Sequence, residues 1–526
     1  MKVNRSKLFY LISFILFLTF SIFCIISIGI SYDQIFHIEN GERRLKYLLS
    51  FGRYDYYDIL HLRYYPGLYD TISAFFATFF PRKFYYESFH LINFLFGLIG
   101  IIGLKKIIKI FFNKNISKIF FIISIFSPIF FGHLSINPKD TIIATSNFWI
   151  MYYVIKYLKC NNNFVRTNIA VKIGLFLGLG IGVRIIFLGT LIPILLFLFA
   201  EIFIFKKIIK EISVKNFIKH IFVVFIISYT LLILCWPNVH NNIITEPFKL
   251  FSESLSDSSQ GVQLSYFFGE FYLTENTPWY YLIINFIFKT PVFLLVTFIL
   301  FFVFFNKVKL YFNNITNFNY NIYYSLIFFF LPMIISIFLG LKIHDGIRYF
   351  LYLVPLFNIL PAIYICYLMN NLNKYYNKII IIFLIPTLLT FLIKFISITP
   401  YHYTYLNIFN DLFLKKNYFE NDYWGVSLKE LIKKFSDNIE NNNSIKIAYC
   451  GVNPINIKYY LRKNDIKNFV LVDLDSEFDY AILINRAIYK DKIDKIYNTC
   501  FSKFKNNQTF LSVNKNNNVL SKIIKY

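Results

Sequence analysis

The sequence predicts an α-helical polytopic membrane protein with about eleven transmembrane helices and a small C-terminal α/β extramembrane domain. Hydrophobic residues make up 57% of its 526 residues and charged residues only 16%, unlike a soluble globular chain. Several apolar runs reach the roughly 18 to 20 residues that a bilayer core requires. The region 398–526, in contrast, is polar enough to be soluble.

The transmembrane helices are predicted from the hydrophobic segments. These segments lie near 8–30, 89–105, 117–132, 141–158, 170–184, 186–205, 218–236, 280–306, 323–342, 349–369 and 378–397. The first is too long for a signal-peptide core and is followed by no small-residue cleavage site, so it is predicted to be retained. The stretch 170–205 is divided in two, with a turn near Arg184, because only two crossings keep the basic loops on one side.

The distribution of basic residues predicts the orientation. A net charge of +25 would indicate nucleic-acid binding in a soluble protein, but here the lysines and arginines fall largely in short gaps between spans. There they act as topology signals and attract anionic lipid, so the predicted partner is the bilayer and no nucleic acid. The N-terminus is therefore predicted to be cytoplasmic. The transmembrane domain covers 1–397, and the domain 398–526 lies outside.

The C-terminal domain is predicted from alternating strand and helix patterns. "SIKIAYCG", "FVLVDLD" and "FDYAILINR" are typical of strands, and "NPINIKYYLRKN" is typical of a helix. The turn after the first strand has no phosphate-binding glycine pattern, so no nucleotide site is predicted. Cys450 and Cys500 both lie in this domain and are able to pair in an oxidising compartment, but the sequence leaves this open.

Ionisable residues collect at the predicted outer ends of the spans. Such residues near hydrocarbon are costly unless they pair or serve a polar cavity, so a one-sided cluster indicates a functional site. The candidate residues are Asp33, Glu39, Lys139, Asp140, Arg184, His240, Glu270, His344, Asp345 and Arg348.

Simpler interpretations of these residues are also open. Lys139 and Asp140 are suited to a helix start after Pro138, where a carboxylate favours the helix dipole. Arg184 is placed to extend toward a lipid headgroup. Asp33 follows a span end and has no such structural explanation. The same choice between a satisfied structural group and a site residue applies to His240, His344, Asp345 and Arg348.

Several motifs in order resemble the GT-C superfamily of polytopic glycosyltransferases. The resemblance is to the family 39 branch, which contains protein O-mannosyltransferases and the lipid A aminoarabinose transferase type. The motifs are Asp33 after the first span, "FGHLSINPKDT", "GLGIGVR", "CWPNVH", "YFFGEFY", "TPWYY", "HDGIRYFLYLVP", "PYHYTYLNIFN" and "NDYWGVSLKEL". They run through most of 1–430.

This resemblance implies inverting transfer of a sugar from a polyprenyl-phosphate carrier to an acceptor hydroxyl. It implies that Asp33 is the general base and that Arg184, Arg348 and Lys139 bind the lipid phosphate. Substrate-binding roles at the same outer end are expected for His344, Asp345, His240 and Glu270. The carrier is the expected donor, and the acceptor, whether glycan, lipid or protein, is open.

One departure from the family pattern affects the acid groups. The relatives have Asp-Glu after the first span, whereas Gln34 follows Asp33 here. Any role for the second carboxylate would pass to Glu39 or Asp140, or would be lost. A divalent metal held by Asp33 and Asp140 is left open.

Other functions are compatible with the composition. A transporter or flippase for lipid-linked glycans would be expected to show an internal repeat, which the sequence lacks. A polysaccharide polymerase or ligase would have a large late outer loop, and a scaffold would only display the C-terminal domain. The loop 237–279 is too short for the luminal domain of eukaryotic mannosyltransferases, so the predicted location is a bacterial inner membrane with a periplasmic C-terminal domain.

Overall fold

The computed structural model is mostly helical, with a small sheet at its C-terminal end. It describes residues 5–256, 263–414, 418–439, 444–491, 496–516 and 518–526. The first helices are α1 (Arg5–Ser27), α2 (Gln34–Leu49), α3 (Leu68–Ala77), α4 (Tyr85–Phe111), α5 (Lys114–Ile125), α6 (Pro128–Ile136), α7 (Asp140–Lys159) and α8 (Asn163–Ile181).

The second part of the bundle contains shorter helices and one hairpin. Its elements are α9 (Phe187–Thr190), α10 (Ile192–Phe199), a π-helical turn (Ala200–Phe205), α11 (Val214–Leu234), α12 (Glu246–Ser256), β1 (Leu264–Phe267), β2 (Glu270–Leu273), α13 (Tyr281–Lys289), α14 (Val292–Val303), α15 (Phe305–Tyr311), α16 (Phe318–Phe338), α17 (Leu353–Phe357), α18 (Ile359–Asn370) and α19 (Tyr375–Ser397). Each predicted hydrophobic segment falls on one or more of these helices. The turn predicted near Arg184 lies between α8 and α9.

The helices able to cross a membrane are fewer than the predicted segments. By length and composition, 6 described helices qualify, or up to 8 if each bent pair is one span. The bends are 65° between α5 and α6 and 108° between α13 and α14. Proline explains both, because Pro128 and Pro291 cannot continue a preceding helix. The apolar helices at Leu11–Ser27 and Ile192–Phe205 are shorter.

The C-terminal region contains the predicted sheet. Its elements are α20 (Ile408–Phe413), α21 (Leu428–Ser436), β3 (Ile445–Cys450), α22 (Pro454–Lys463), β4 (Phe469–Val472), β5 (Tyr480–Ile484), β6 (Ala487–Asp491), β7 (Ile496–Thr499), α23 (Cys500–Lys503), β8 (Thr509–Lys515) and β9 (Asn518–Lys525). The strand order is β4-β3-β5-β9-β8, parallel across β4, β3 and β5 and antiparallel beyond. Cys450 and Cys500 form a disulfide.

The C-terminal region holds the chain that leaves α1. The Gly29 amide donates to the Val426 carbonyl at 3.1 Å, and the Tyr32 amide donates to the Trp424 carbonyl at 2.9 Å. A Cβ at Gly29 would lie 2.4 Å from the Val426 oxygen, so this approach requires glycine. From α22, the Tyr460 hydroxyl accepts from the Ile30 amide at 2.8 Å. These contacts fix the backbone immediately before Asp33.

Candidate active site

Asp33 lies at the start of α2, in the segment that the C-terminal region holds. Its side chain makes no capping hydrogen bond to the helix. Instead its Oδ2 accepts from the Nζ of Lys139 at 3.1 Å, across 106 residues of sequence. The Asp33 side chain keeps 37% of its exposure, whereas Lys139 keeps 8%. The carboxylate is thus anchored by a buried cation and still accessible from outside.

Asn137 fixes Lys139 and Asp140 at the start of α7. Its Oδ1 accepts from the backbone amides of Lys139 and Asp140 at 3.2 and 2.9 Å, and its Nδ2 donates to Asp140 Oδ2 at 2.9 Å. Asn137 therefore provides the cap, and Asp140 is buried in the first helical turn, where its charge favours the dipole. The same short turn aims Lys139 at Asp33.

A second ion pair is formed within the turn before α17. Asp345 Oδ2 lies 2.9 Å from Arg348 Nη2, and His344 Nε2 is also 2.9 Å from that nitrogen. Asp345 has a φ of +55°, in the left-handed region, and Gly346 follows with a φ of +71°. This tight turn places the carboxylate against Arg348, and both side chains are 5% exposed.

Two nitrogen atoms of Arg348 make no hydrogen bond in the described part of the chain. Within the described part of the chain, its Nε and Nη1 are buried and have no hydrogen-bond partner. Leaving buried polar groups unpaired costs about 1–3 kcal/mol, and more when the group is charged. Two unused guanidinium donors in a partly open site therefore indicate an anionic ligand with more than one oxygen.

Two tyrosines connect the cations. Arg184 Nη2 donates to Tyr65 Oη at 2.5 Å, and Lys139 Nζ lies 5.7 Å from the centre of the Tyr65 ring. The guanidinium carbons of Arg184 and Arg348 lie 5.9 and 4.5 Å from the centre of the Tyr349 ring. Tyr65 and Tyr349 thus link Arg184 to Lys139 and to Arg348, and Lys139 in turn contacts Asp33.

The electrostatics keep the two carboxylates ionised. Burial alone would raise the pKa of Asp33, but Lys139, Arg348 and His37 outweigh it and hold that pKa well below its usual range. Burial likewise opposes ionisation of Asp345, yet Arg348 lowers its pKa. Burial lowers the pKa of His344 to about 4, so its imidazole is neutral near pH 7 and can accept a hydrogen bond from Arg348.

The C-terminal region adds Glu420 and Arg486 to the site. Arg486 Nη1 donates to the Tyr423 carbonyl at 2.9 Å, and its guanidinium carbon lies 5.4 Å from the centre of the Tyr32 ring. Glu420 Oε1 accepts from the Ala487 amide at 2.7 Å. Burial raises the pKa of Glu420 to about 7, with Arg486 opposing the shift. Electrostatic contributions from Arg486 reach both Asp33 and Asp345.

Three predicted site residues make their contacts elsewhere. Glu39 pairs with Arg43 one turn along α2. His240 Nδ1 lies 3.1 Å from Tyr47 Oη, and its Nε2 lies 2.9 Å from the Ile233 carbonyl. Glu270 is exposed and accepts a hydrogen bond from the Tyr272 hydroxyl in the β1 and β2 hairpin. The structure does not bring these side chains against Asp33.

Gln34, which stands where the relatives have a second carboxylate, has a structural role. Gln34 Oε1 accepts from the Ser31 amide at 3.2 Å and lies 3.0 Å from His90 Nε2. Three residues after Gln34, His37 Nδ1 lies 2.9 Å from Asp70 Oδ2, and both groups are buried. Gln34 thus braces the turn that presents Asp33, and Asp70 does the same for the first turn of α2.

Several residues of this region were not among the predicted ones. They are Tyr65, Asp70, Tyr349, Glu420 and Arg486. Tyr349 is part of the "HDGIRYF" motif, and Arg486 ends the predicted strand "FDYAILINR", so a polar residue at a strand end was the available signal for the latter. No local pattern in the sequence distinguishes Tyr65, Asp70 or Glu420.

The residues present do not fit a metal centre. The carboxylate of Asp33 accepts a hydrogen bond from Lys139, and that of Asp140 accepts one from Asn137. Across the described ranges, no group of three or more His, Cys, Asp or Glu side chains is arranged to hold a metal ion.

Comparison with solved structures identifies the fold. The chain is similar to ArnT from Cupriavidus metallidurans in the apo state, with 10% identity, a TM-score of 0.50, and coverage of 99% of this chain and 98% of that one. The same protein bound to undecaprenyl phosphate gives 9% identity, a TM-score of 0.51 and the same coverage. No protein-family model and no curated protein matches the sequence. The chain therefore has an ArnT-like fold across 99% of its length, and the motifs predicted this fold for most of 1–430.

Proposed function

We propose that this protein is a membrane glycosyltransferase that moves a sugar from a polyprenyl-phosphate carrier to an acceptor hydroxyl, with inversion. One observation carries the proposal. A partly exposed carboxylate, Asp33, is paired with Lys139, and Arg348, whose charge acts on Asp33, has two buried donor atoms without partners in the described part of the chain. A carboxylate beside an anion site is the combination that this transfer requires.

The cations are assigned to the carrier phosphate. As the bond between the anomeric carbon and the phosphate oxygen breaks, negative charge grows on the departing phosphate. Arg348 Nε and Nη1 would gain phosphate oxygens as partners, and a guanidinium is able to hold two oxygens at once. Arg184, held by Tyr65, would add a further positive charge near the phosphate. His344 and Asp345 position Arg348 through their contacts with its Nη2.

Asp33 is assigned to the acceptor. Its lowered pKa ensures that it is ionised, but a strongly stabilised carboxylate is also a weak base. A bound phosphate would offset the charges of Lys139 and Arg348 and would raise the pKa of Asp33. Asp33 then takes the acceptor proton while the acceptor oxygen bonds to the anomeric carbon on the face opposite the phosphate. Donor binding thereby activates the base.

The fold and the disulfide support the same proposal. ArnT, whose fold this chain shares, has been crystallised with undecaprenyl phosphate, which is a polyprenyl phosphate. The disulfide between Cys450 and Cys500 is typical of an oxidising compartment. We accordingly assign 398–526 to the periplasmic side of a bacterial inner membrane, with 1–397 as the catalytic transmembrane domain and a cytoplasmic N-terminus. Among the described residues no group is arranged to hold a metal, so no step is assigned to one.

The proposal is tested with purified protein in lipid and a panel of radiolabelled polyprenyl-phosphate sugars. Release of free polyprenyl phosphate is measured for the wild type, Asp33→Asn and Glu39→Gln. We expect Asp33→Asn to lower turnover about 10²- to 10⁴-fold, the range for loss of a general base. Glu39→Gln removes a carboxylate from the same helix, where it only pairs with Arg43, and should change turnover less than about twofold.

Two results would reject the proposal. One is the absence of turnover of any donor by protein whose melting temperature shows that it is folded. The other is turnover that is the same with and without the Asp33 carboxylate. Either would favour a transporter or a noncatalytic scaffold.

A further inference from the structure

A polar cleft lies at the end of the bundle opposite to Asp33. The helix α7 begins beside Lys139 and ends at Lys159 after 20 residues, or about 30 Å of helix. At that far end the cleft has a volume of about 290 Å³. It is lined by Ile110, Lys159, Lys207, Ile208, Lys210, Thr316, Asn317 and Asn321, and we call it the lysine cleft.

The segment that supplies two of the lysines is held in place by buried side chains. The Ile208 amide donates to Glu201 Oε2 at 2.7 Å, and the Lys210 amide donates to the Leu158 carbonyl at 2.9 Å. Arg166, which is 3% exposed, donates from Nη1 to the Glu211 carbonyl at 2.7 Å and from Nη2 to the Lys210 carbonyl at 3.2 Å. The lysine positions are thus set by the fold.

The opposite wall is fixed in a similar way. Asn321 Nδ2 donates to the carbonyls of Phe111 and Thr316, which joins the start of α16 to the end of α4. Asn317 precedes α16 with a φ of +58°. The cleft is therefore enclosed by the ends of three helices and one ordered segment.

The charged residues that line the cleft are all lysines. Lys159, Lys207 and Lys210 have no carboxylate within ion-pair distance in the part of the chain that the structure describes. The nearby Glu201 is fully buried and accepts hydrogen bonds from Tyr320 and Tyr324. Three unpaired ammonium groups at the mouth of a polar cavity attract an anion with several oxygens.

We propose that the lysine cleft binds a phosphate group, carried by an anionic lipid of the adjacent leaflet or free in solution. Basic pockets between transmembrane helices are suited to such headgroups. The residues just before the cleft favour the lipid source, because Phe203, Ile204 and Phe205 are exposed and apolar and lie next in sequence to its lysines. Acyl chains would cover these side chains while the phosphate enters the cleft.

The test measures lipid retention by native mass spectrometry after extraction from phosphatidylglycerol or phosphatidylcholine vesicles. The site variant is Lys159→Gln, Lys207→Gln and Lys210→Gln combined. Its matched control, Lys309→Gln, Lys374→Gln and Lys378→Gln, removes the same charge from exposed lysines outside the cleft. A second variant, Thr316→Trp, fills the cleft without changing any charge. Phosphatidylglycerol binding to all proteins is repeated with and without millimolar inorganic phosphate.

We expect preferential retention of phosphatidylglycerol by the wild type and the control. The affinity of the protein for phosphatidylglycerol should fall about fivefold for each of the three lysines removed in the combined variant. Thr316→Trp should also weaken phosphatidylglycerol binding. Retention that inorganic phosphate does not displace identifies the lipid as the source, and displacement identifies the free ion. Equal losses in the cleft and control variants, or no preference for phosphatidylglycerol, would overturn the proposal. Melting temperatures of each variant exclude unfolding as the cause.

Discussion

The two ends of the helical bundle use charge differently. At the Asp33 site, acids and bases are mixed and mostly buried, and each is held by a specific partner, as Lys139 holds Asp33 at 3.1 Å. At the lysine cleft, the charged lining side chains are three exposed lysines. Burying charges of opposite sign carries a desolvation cost, whereas a loop that only joins two helices has no need of buried charges. This difference supports the two proposals, catalysis at the first end and phosphate binding at the second.

The largest effect expected in this comparison is that of Arg348. Arg348→Gln removes the two free donors and should lower kcat/KM for the donor by about 10²- to 10³-fold, the usual loss for one electrostatic group. Arg348→Lys keeps the charge but loses the planar fork, so its loss should be smaller. Donor turnover and melting temperature are measured together, because the change also leaves Asp345 buried without its partner.

The matched control is Arg63→Gln. Arg63 is an exposed arginine of the first loop, and it pairs with Glu253 of α12. Arg63→Gln should leave kcat/KM within about twofold. If Arg63→Gln and Arg348→Gln lose equal activity at equal stability, the mixed-charge end has no special role.

Lys139 sharpens the comparison through pH dependence. Since Lys139 is the main cause that lowers the pKa of Asp33, Lys139→Gln should raise that pKa. Asp33 acts as a base only when ionised, so activity is lost as the pH falls through its pKa. In the wild type this loss of activity should occur only below about pH 4, and in Lys139→Gln it should occur at a higher pH. The measurement is kcat/KM from pH 4 to 8; an unshifted loss of activity would mean that Lys139 does not control the base.

The smallest expected effect is that of Glu420→Gln, and it is on the pH dependence of stability rather than on activity. The folded pKa of Glu420, about 7, exceeds its ordinary value of 4.5, so the folded protein binds this proton more tightly. The resulting stability is present below about pH 4.5 and lost as the pH rises through about 7, with an upper limit of about 3 kcal/mol. The wild type should therefore lose melting temperature relative to Glu420→Gln between pH 5 and 8. The exposed Glu270→Gln should show no such trend, and parallel curves for all three proteins would contradict the assignment.

The sequence predicted the fold better than the site, for physical reasons. Hydrophobic length and loop charge are local properties, so the helices, the turn near Arg184 and the strands of the C-terminal sheet could be placed from them. The bends at Pro128 and Pro291 divide two of the predicted segments, so that 6 described helices qualify as spans, or 8 if each bent pair is one span, compared with about eleven predicted segments.

The site depends on contacts between distant parts of the chain. Lys139 and Asp33 were both predicted, but their ion pair spans 106 residues. Glu420 and Arg486 come from the C-terminal region, where no local pattern signals that they approach Asp345. Conversely, His240 and Glu270 share the predicted outer side with Asp33, and yet they contact Tyr47 and Tyr272. Which side chains meet around the bundle depends on the tertiary packing and not on local sequence.

The central claim is that the Asp33 end binds the carrier phosphate. Its most direct test is the affinity for undecaprenyl phosphate in nanodiscs rich in phosphatidylglycerol, which keeps the lysine cleft occupied. We predict at least about tenfold weaker binding for Arg348→Gln and unchanged binding for the combined Lys159, Lys207 and Lys210 variant. Unchanged binding by Arg348→Gln, or loss of binding only in the lysine variant, would contradict the account.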